Sequence, residues 1–225
     1  MLPLSRSDGI NLANSQAPPL SKLVSEAVRD IHQRVENHPF FQKLQAATLD
    51  PTAYCQYLVD LKHIYLALEE QIEVECERQP LLREIFIPEL KRTLALEADL
   101  NTYHFQELAR PVSQAAEDYA NYLRQLAKQN SLLLAAHAYI RYLGDRSGGM
   151  IIKQWVNKKW PDALHFYDFT VLLRAHENVI ITTFNDFYKN KFDKLDIDLK
   201  TQQDLVKEAC LAFEYTEKLL NSISL

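Results

Sequence analysis

Apolar residues recur every third or fourth position through most of the chain, the spacing of helices that bury one face. Val24, Ala27, Val28, Ile31 and Val35 form such a stripe and predict a helix from about Ser21 to Asn37, with Ser21 as its cap. His32 borders that stripe one turn beyond Val28. A short helix through "FFQKLQAA" is expected after the break at Pro39. Asp50 followed by Pro51 is a strong start signal, a capping carboxylate before a first-turn proline, for a helix reaching about Glu77.

Proline continues to punctuate the pattern. Pro80, Pro88 and Pro111 separate "PELKRTLALEADLNTYHF" from "PVSQAAEDYANYLRQLAKQ", both with helical spacing. Ser131 opens a long helical stretch, "SLLLAAHAYIRYLGDRSGGMIIKQWVNKKW". A loop from Pro161 to Asp168, a helical stretch ending near Lys194, and "TQQDLVKEACLAFEYTEKLL" complete the chain. No repeat, low-complexity tract or linker divides it. The expectation is one all-α domain, a single-domain bundle over residues 20–225, preceded by a flexible arm of residues 1–19 rich in Ser, Asn and Pro.

Composition narrows the picture. Of 225 residues only four are glycine, too few to supply the hairpins of an all-β fold. A net charge of −5 without a concentrated basic run argues against a nucleic-acid footprint. The three cysteines, Cys55, Cys76 and Cys210, are far apart and form no CxxC pair, so reduced thiols in a cytoplasmic protein are expected. Neither a signal-peptide core nor an apolar run of about 18 residues is visible.

Three of the four glycines, Gly144, Gly148 and Gly149, stand together inside "RYLGDRSGGMIIKQW". Each costs about 1 kcal/mol in a helix relative to alanine, so clustering them calls for a close approach to the backbone. A flat partner laid on bare backbone beside Asp145 satisfies that need; so does a tight helix crossing with Asp145 merely solvated. For His32 read in isolation, a surface or core histidine is the more common role.

The segment "HAYIRYLGDRSGG" closely resembles the distal helix of biliverdin-producing heme oxygenases. "VRDIHQRVENHPFF" resembles the family's proximal helix, "HIYLALEEQIE" its third core segment and "IPELKRTLALEADL" the stretch after it. These motifs, in order, cover most of residues 20 to 160. The resemblance implies heme as both cofactor and substrate, held between a proximal and a kinked distal helix. His32 is then the iron ligand, its ring oriented by Glu36 one turn on. Gly144, Gly148 and Gly149 let backbone approach the porphyrin, and Asp145 orders water that relays protons. Tyr65, Tyr139 and Arg141 stand at positions the family uses in that network; packing and a surface ion pair are their alternative roles.

The resemblance also implies cations for the heme propionates. Ser25 stands where a lysine is common, leaving Arg29 as the basic residue there. In "FNDFYKNKFDKL", Tyr188 fits the late-helix pattern, Lys189 replaces an arginine and Asn185 a frequent lysine; Arg146 replaces an apolar residue after the aspartate. Lysine keeps charge but loses the bidentate fork, so the regiochemistry of ring opening is open. The implied reaction opens heme to biliverdin with release of carbon monoxide and ferrous iron. It uses dioxygen and electrons from an external ferredoxin or reductase. No flavin or nicotinamide fingerprint is visible. Lys153, Lys158 and Lys159 are candidates for docking that donor, against a plain solvated face. The competing readings are a heme-binding sensor or carrier without turnover, a di-iron oxidase, which lacks a Glu-x-x-His here, and a cysteine-dependent hydrolase.

Overall fold

The computed structural model describes residues 18–102, 104–108, 110–170 and 184–225. The chain is all-α. Up to Asn157 the described helices are α1 (Leu20–Ala27) and α2 (Arg29–Glu36), which divide the first expected helix, α3 (Pro39–Gln45), α4 (Pro51–Glu75), an additional short α5 (Pro80–Ile85), α6 (Thr93–Leu100), α7 (Gln114–Asn130), and α8 (Leu134–Ser147) and α9 (Gly149–Asn157), which divide the stretch from Ser131. Two more follow, α10 (Phe184–Asp193) and α11 (Leu199–Ser222). Of the expected arm only Pro18 and Pro19 lie among the described residues, and the run from 171 to 183 lies outside them.

Local chemistry sets most boundaries. Asp50 caps α4 by accepting from Thr52 N at 2.7 Å, and Ser113 and Asp198 do the same for α7 and α11. The first helix departs from expectation. Ser21 is not its cap: Pro19 precedes the helix, and the Ser21 backbone N–H donates to Asp193 Oδ1 at 2.6 Å. An end of α10 thus satisfies an orphan donor of α1. The stripe continues through Val28, which divides α1 from α2 while remaining in a right-handed conformation.

The core is built around α4, which buries side chains from Ala53 to Ile72 on several faces and packs on α6 and α7. The C-terminal α11 packs against α1, α2, α7 and α8, so it touches both the helix that carries His32 and the helix that carries Asp145. Two buried carboxylates order the irregular segments. Asp99 accepts from the backbone of His165 and Phe166 at 2.8 Å each, fixing the loop after α9. Glu69 is buried and accepts from Arg92 N and the Thr93 hydroxyl, where α6 begins. Glu73 does pair at the surface, with Lys91 at 2.7 Å.

Among the described residues no helix is long and apolar enough to cross a membrane. No group of three or more His, Cys, Asp or Glu among them is arranged to hold a metal ion.

Candidate functional site

The long helix expected from Ser131 begins as a 3₁₀ turn, runs as α8, and is divided at Gly148 from α9. Gly148 keeps φ −69° and ψ −33°, and its N–H still donates to the Gly144 carbonyl at 2.9 Å, so the chain passes from α8 to α9 without leaving the right-handed region. Gly144 is exposed, and a Cβ built on it meets nothing within 4 Å. Ser147 is exposed and Gly148 half-buried, so positions 144, 147 and 148 form one open strip of thinly covered backbone. Gly149 does not extend it. Its absent Cβ would lie 2.7 Å from Tyr167 Cδ1, so the close approach of a loop aromatic accounts for this glycine rather than a cofactor.

Beside the strip, Asp145 is the centre of a buried polar cluster. The Tyr65 hydroxyl on α4 donates to Asp145 Oδ2, and Arg141, one turn earlier on α8, reaches the same oxygen at 3.2 Å. Arg141 is 5% exposed, which rules out the surface ion pair. Its burial opposes its charge, but the Asp145 carboxylate and surrounding tyrosines more than offset this and hold its pKa well above the usual value. Burial first, then the Asp145 charge, pushes the Tyr65 hydroxyl well up, so it stays a donor. A carboxylate gripped by one phenol and one guanidinium is fixed in place, with 14% of its side-chain surface still reachable.

Tyr139 is not brought into this cluster. Its ring stacks on Phe192 at 4.2 Å and on Tyr188 at 6.1 Å, and its hydroxyl faces Ser21 and Asp193. Tyr188 is itself buried in that aromatic stack against Phe184. Both therefore stand as packing residues between α8 and α10, not as members of the Asp145 cluster.

His32 lies on the exposed face of α2, with 47% of its side chain accessible. Nδ1 comes to 3.5 Å from Glu36 Oε2, longer than an ordinary hydrogen bond yet on the side expected. The ring sits edge-on to Phe213 of α11 at 5.4 Å. Glu36 lies on the Nδ1 side of the ring, so Nε2 is the nitrogen that would serve as an axial ligand to iron. Arg29 and Lys189 are both exposed cations.

Two partners escaped sequence reasoning. Thr216 Oγ1 accepts from Arg141 Nη1 at 3.0 Å, and Arg146, which replaces an apolar residue, is 4% exposed and bonded to Asn185. A threonine mid-helix carries no local signal for the first; the pairing of a new cation with a lost one was the available signal for the second.

The sequence model of the heme oxygenase family matches residues 18–222. The chain belongs to the heme oxygenase family. Heme oxygenase 1 of Gallus gallus is 32% identical over 209 residues, covering 89% of this chain and 68% of that one. The heme oxygenase of Guillardia theta is 30% identical, covering 89% and 84%. Among solved structures, heme oxygenase-1 of Synechocystis in complex with heme superposes with a TM-score of 0.79 at 29% identity, covering 92% and 93%. Synechocystis heme oxygenase-2 with heme and NO gives 0.82 at 26%, covering 92% and 85%. The activity is that of a heme oxygenase. Heme oxygenase chemistry also fits the three thiols, each pushed up by burial, the opposite of an activated nucleophile.

Proposed function

We propose that His32 binds the heme iron through Nε2, with Glu36 and Phe213 setting the ring, and that Gly144 and Gly148 present bare backbone to the opposite porphyrin face. When bound, the heme supplies both the iron that activates dioxygen and the porphyrin that is oxidised, to biliverdin, carbon monoxide and ferrous iron, with electrons from an external ferredoxin or reductase. Asp145 holds water on the open side and passes protons to it. Tyr65 and Arg141 keep the carboxylate aimed. Arg29 and Lys189 meet the propionates.

The observation that supports this reading most directly is the buried Tyr65–Asp145–Arg141 cluster beside a glycine with nothing within 4 Å of its missing side chain. Lys158, just after α9, is exposed and available to an acidic electron donor; Lys153 is half-buried and pairs with Asp168 at 3.9 Å, and Lys159 is turned inward, donating to the Leu49 carbonyl and lying over Trp160. With thiols that require no oxidising compartment, the reaction is assigned to the cytoplasm.

The test is to add one equivalent of hemin, supply ascorbate or ferredoxin with its reductase under air and catalase, and identify the extracted pigment. Loss of the Soret band with biliverdin formation supports turnover. A histidine-ligated Soret band that persists with several donors would instead make the protein a carrier. His32→Ala must erase that ligation, and Asp145→Ala must keep heme binding while losing the pigment.

A further inference from the structure

The loop after α9 touches the distal groups twice. Phe166 is fully buried and meets the Tyr65 ring edge-on at 5.8 Å. Tyr167 lies against Gly149, where an added Cβ would come within 2.7 Å of its ring. Tyr65 in turn holds the Asp145 carboxylate, and Gly149 opens the helix that follows it. The backbone of residues 166 and 167 is therefore a support for the groups proposed to handle protons.

α6 holds that backbone from two positions on one helical face, two turns apart. At its start, Arg92 donates from Nη1 to the carbonyls of Phe166 and Asp168 at 3.3 and 2.9 Å, with its guanidinium 4.2 Å from the Phe169 ring centroid. Near its other end, Asp99 receives the N–H groups of His165 and Phe166 at 2.8 Å each. A carboxylate takes the loop's donors and a guanidinium its acceptors, so both polar edges of the loop are bound by charge.

A side chain completes the grip on Asp99. His165 Nδ1 reaches Asp99 Oδ1 at 2.7 Å. A carboxylate only accepts, so the shared proton is carried by Nδ1. The Asp99 side chain is fully buried while 56% of the His165 side chain is accessible, so the imidazole stands between the carboxylate and solvent. Loss of the ring leaves both backbone bonds in place but opens their acceptor to competing water.

We infer that Asp99 and His165 are positioning residues of the reaction: they fix the loop on which Tyr65 leans, and through Tyr65 the direction in which the Asp145 carboxylate points. This rests on the proton-handling role proposed for Asp145 above.

The experiment is a double-mutant cycle on biliverdin formation by the hemin-loaded protein, using His165→Ala, Asp99→Asn and Tyr65→Phe. His165→Ala should slow turnover about threefold and Asp99→Asn about tenfold, as expected when part or all of one charged hydrogen bond is felt at the transition state. Hemin affinity should stay within about twofold in both. In a Tyr65→Phe background each effect should shrink below about twofold, because groups that act through one partner do not add. His165→Asn sets an amide donor where Nδ1 stood and should restore the rate. In the heme-free protein, hydrogen exchange at the His165 and Phe166 amides should quicken in His165→Ala and return to normal in His165→Asn. Losses that persist in full beside Tyr65→Phe would reduce the pair to general support of the fold and overturn the positioning role. Faster exchange with unchanged turnover would overturn it too. If Asp99→Asn fails to fold, His165→Ala, at a mostly exposed side chain, decides alone. Absence of biliverdin from the unmodified protein would overturn the heme reading, and full turnover by Asp145→Ala would overturn the role of that carboxylate; both are distinct from additivity in the cycle.

Discussion

Arg141 and Thr216 meet at 3.0 Å in the core, joining the helix that bears Asp145 to the C-terminal helix. The direction of the bond is fixed: the Thr216 hydroxyl spends its proton on the Ala212 carbonyl at 2.8 Å, leaving a lone pair for the guanidinium. Three residues before Thr216, Phe213 touches His32. One short stretch of α11 therefore sets groups on both sides of the proposed heme.

Thr216→Val keeps the shape and removes the acceptor, leaving a buried Arg141 N–H unpaired. We expect a loss of about 1–3 kcal/mol in urea unfolding and a roughly tenfold slower biliverdin formation, if the loosened Arg141 costs Asp145 about 1.4 kcal/mol of transition-state alignment. Hemin affinity should stay within twofold, and Thr216→Ser should restore the rate. A full rate in the valine variant would detach Arg141 from the chemistry.

The clustered glycines should separate by function. Gly144→Ala meets open space, so the heme-free protein should gain up to about 1 kcal/mol from better helix propensity while binding hemin more weakly. Gly149→Ala drives a methyl into the Tyr167 ring and should cost about 1–3 kcal/mol through overpacking. Thermal unfolding with and without hemin checks both; the same sign of stability change at the two positions would refute the division.

His137 predicts a pH dependence. It is fully buried, its ring nitrogens bonded to Tyr119 at 2.9 Å and Glu208 at 3.0 Å, and burial, only partly countered by Glu208, lowers its pKa. A histidine held neutral in the fold contributes stability that is complete above its unfolded pKa of about 6.5. That contribution falls as the unfolded chain takes up a proton below it, until the folded pKa is reached. Urea midpoints at pH 7.5 and 5.5 should therefore drop more for the unmodified protein than for His137→Gln. Parallel drops would show that the imidazole titrates alike in both states.

Ala47, two residues past α3, has φ 56°, the only non-glycine position among the described residues in the left-handed region. Ala47→Gly removes a steric cost of about 1 kcal/mol, offset in part by added freedom of the unfolded chain. A rise in melting temperature of a degree or more is expected; a fall would mean that the entropy term dominates.

The sequence by itself determined the helices, because periodic apolar positions, Asp50-Pro51 and the other start signals act within a turn or two of the backbone. It also determined the family, because "HAYIRYLGDRSGG" and the His32 segment place rare residues in fixed order. Pairings across the chain were decided only by tertiary structure. Tyr65 meets Asp145 across 80 residues, Arg141 meets Thr216 across 75, and Arg146 meets Asn185 across 39. Tyr139 left the Asp145 cluster and Gly149 left the open strip for the same reason. A helix position fixes the direction in which a side chain departs, but the partner it finds depends on which elements are packed beside it, and that is set by the whole core.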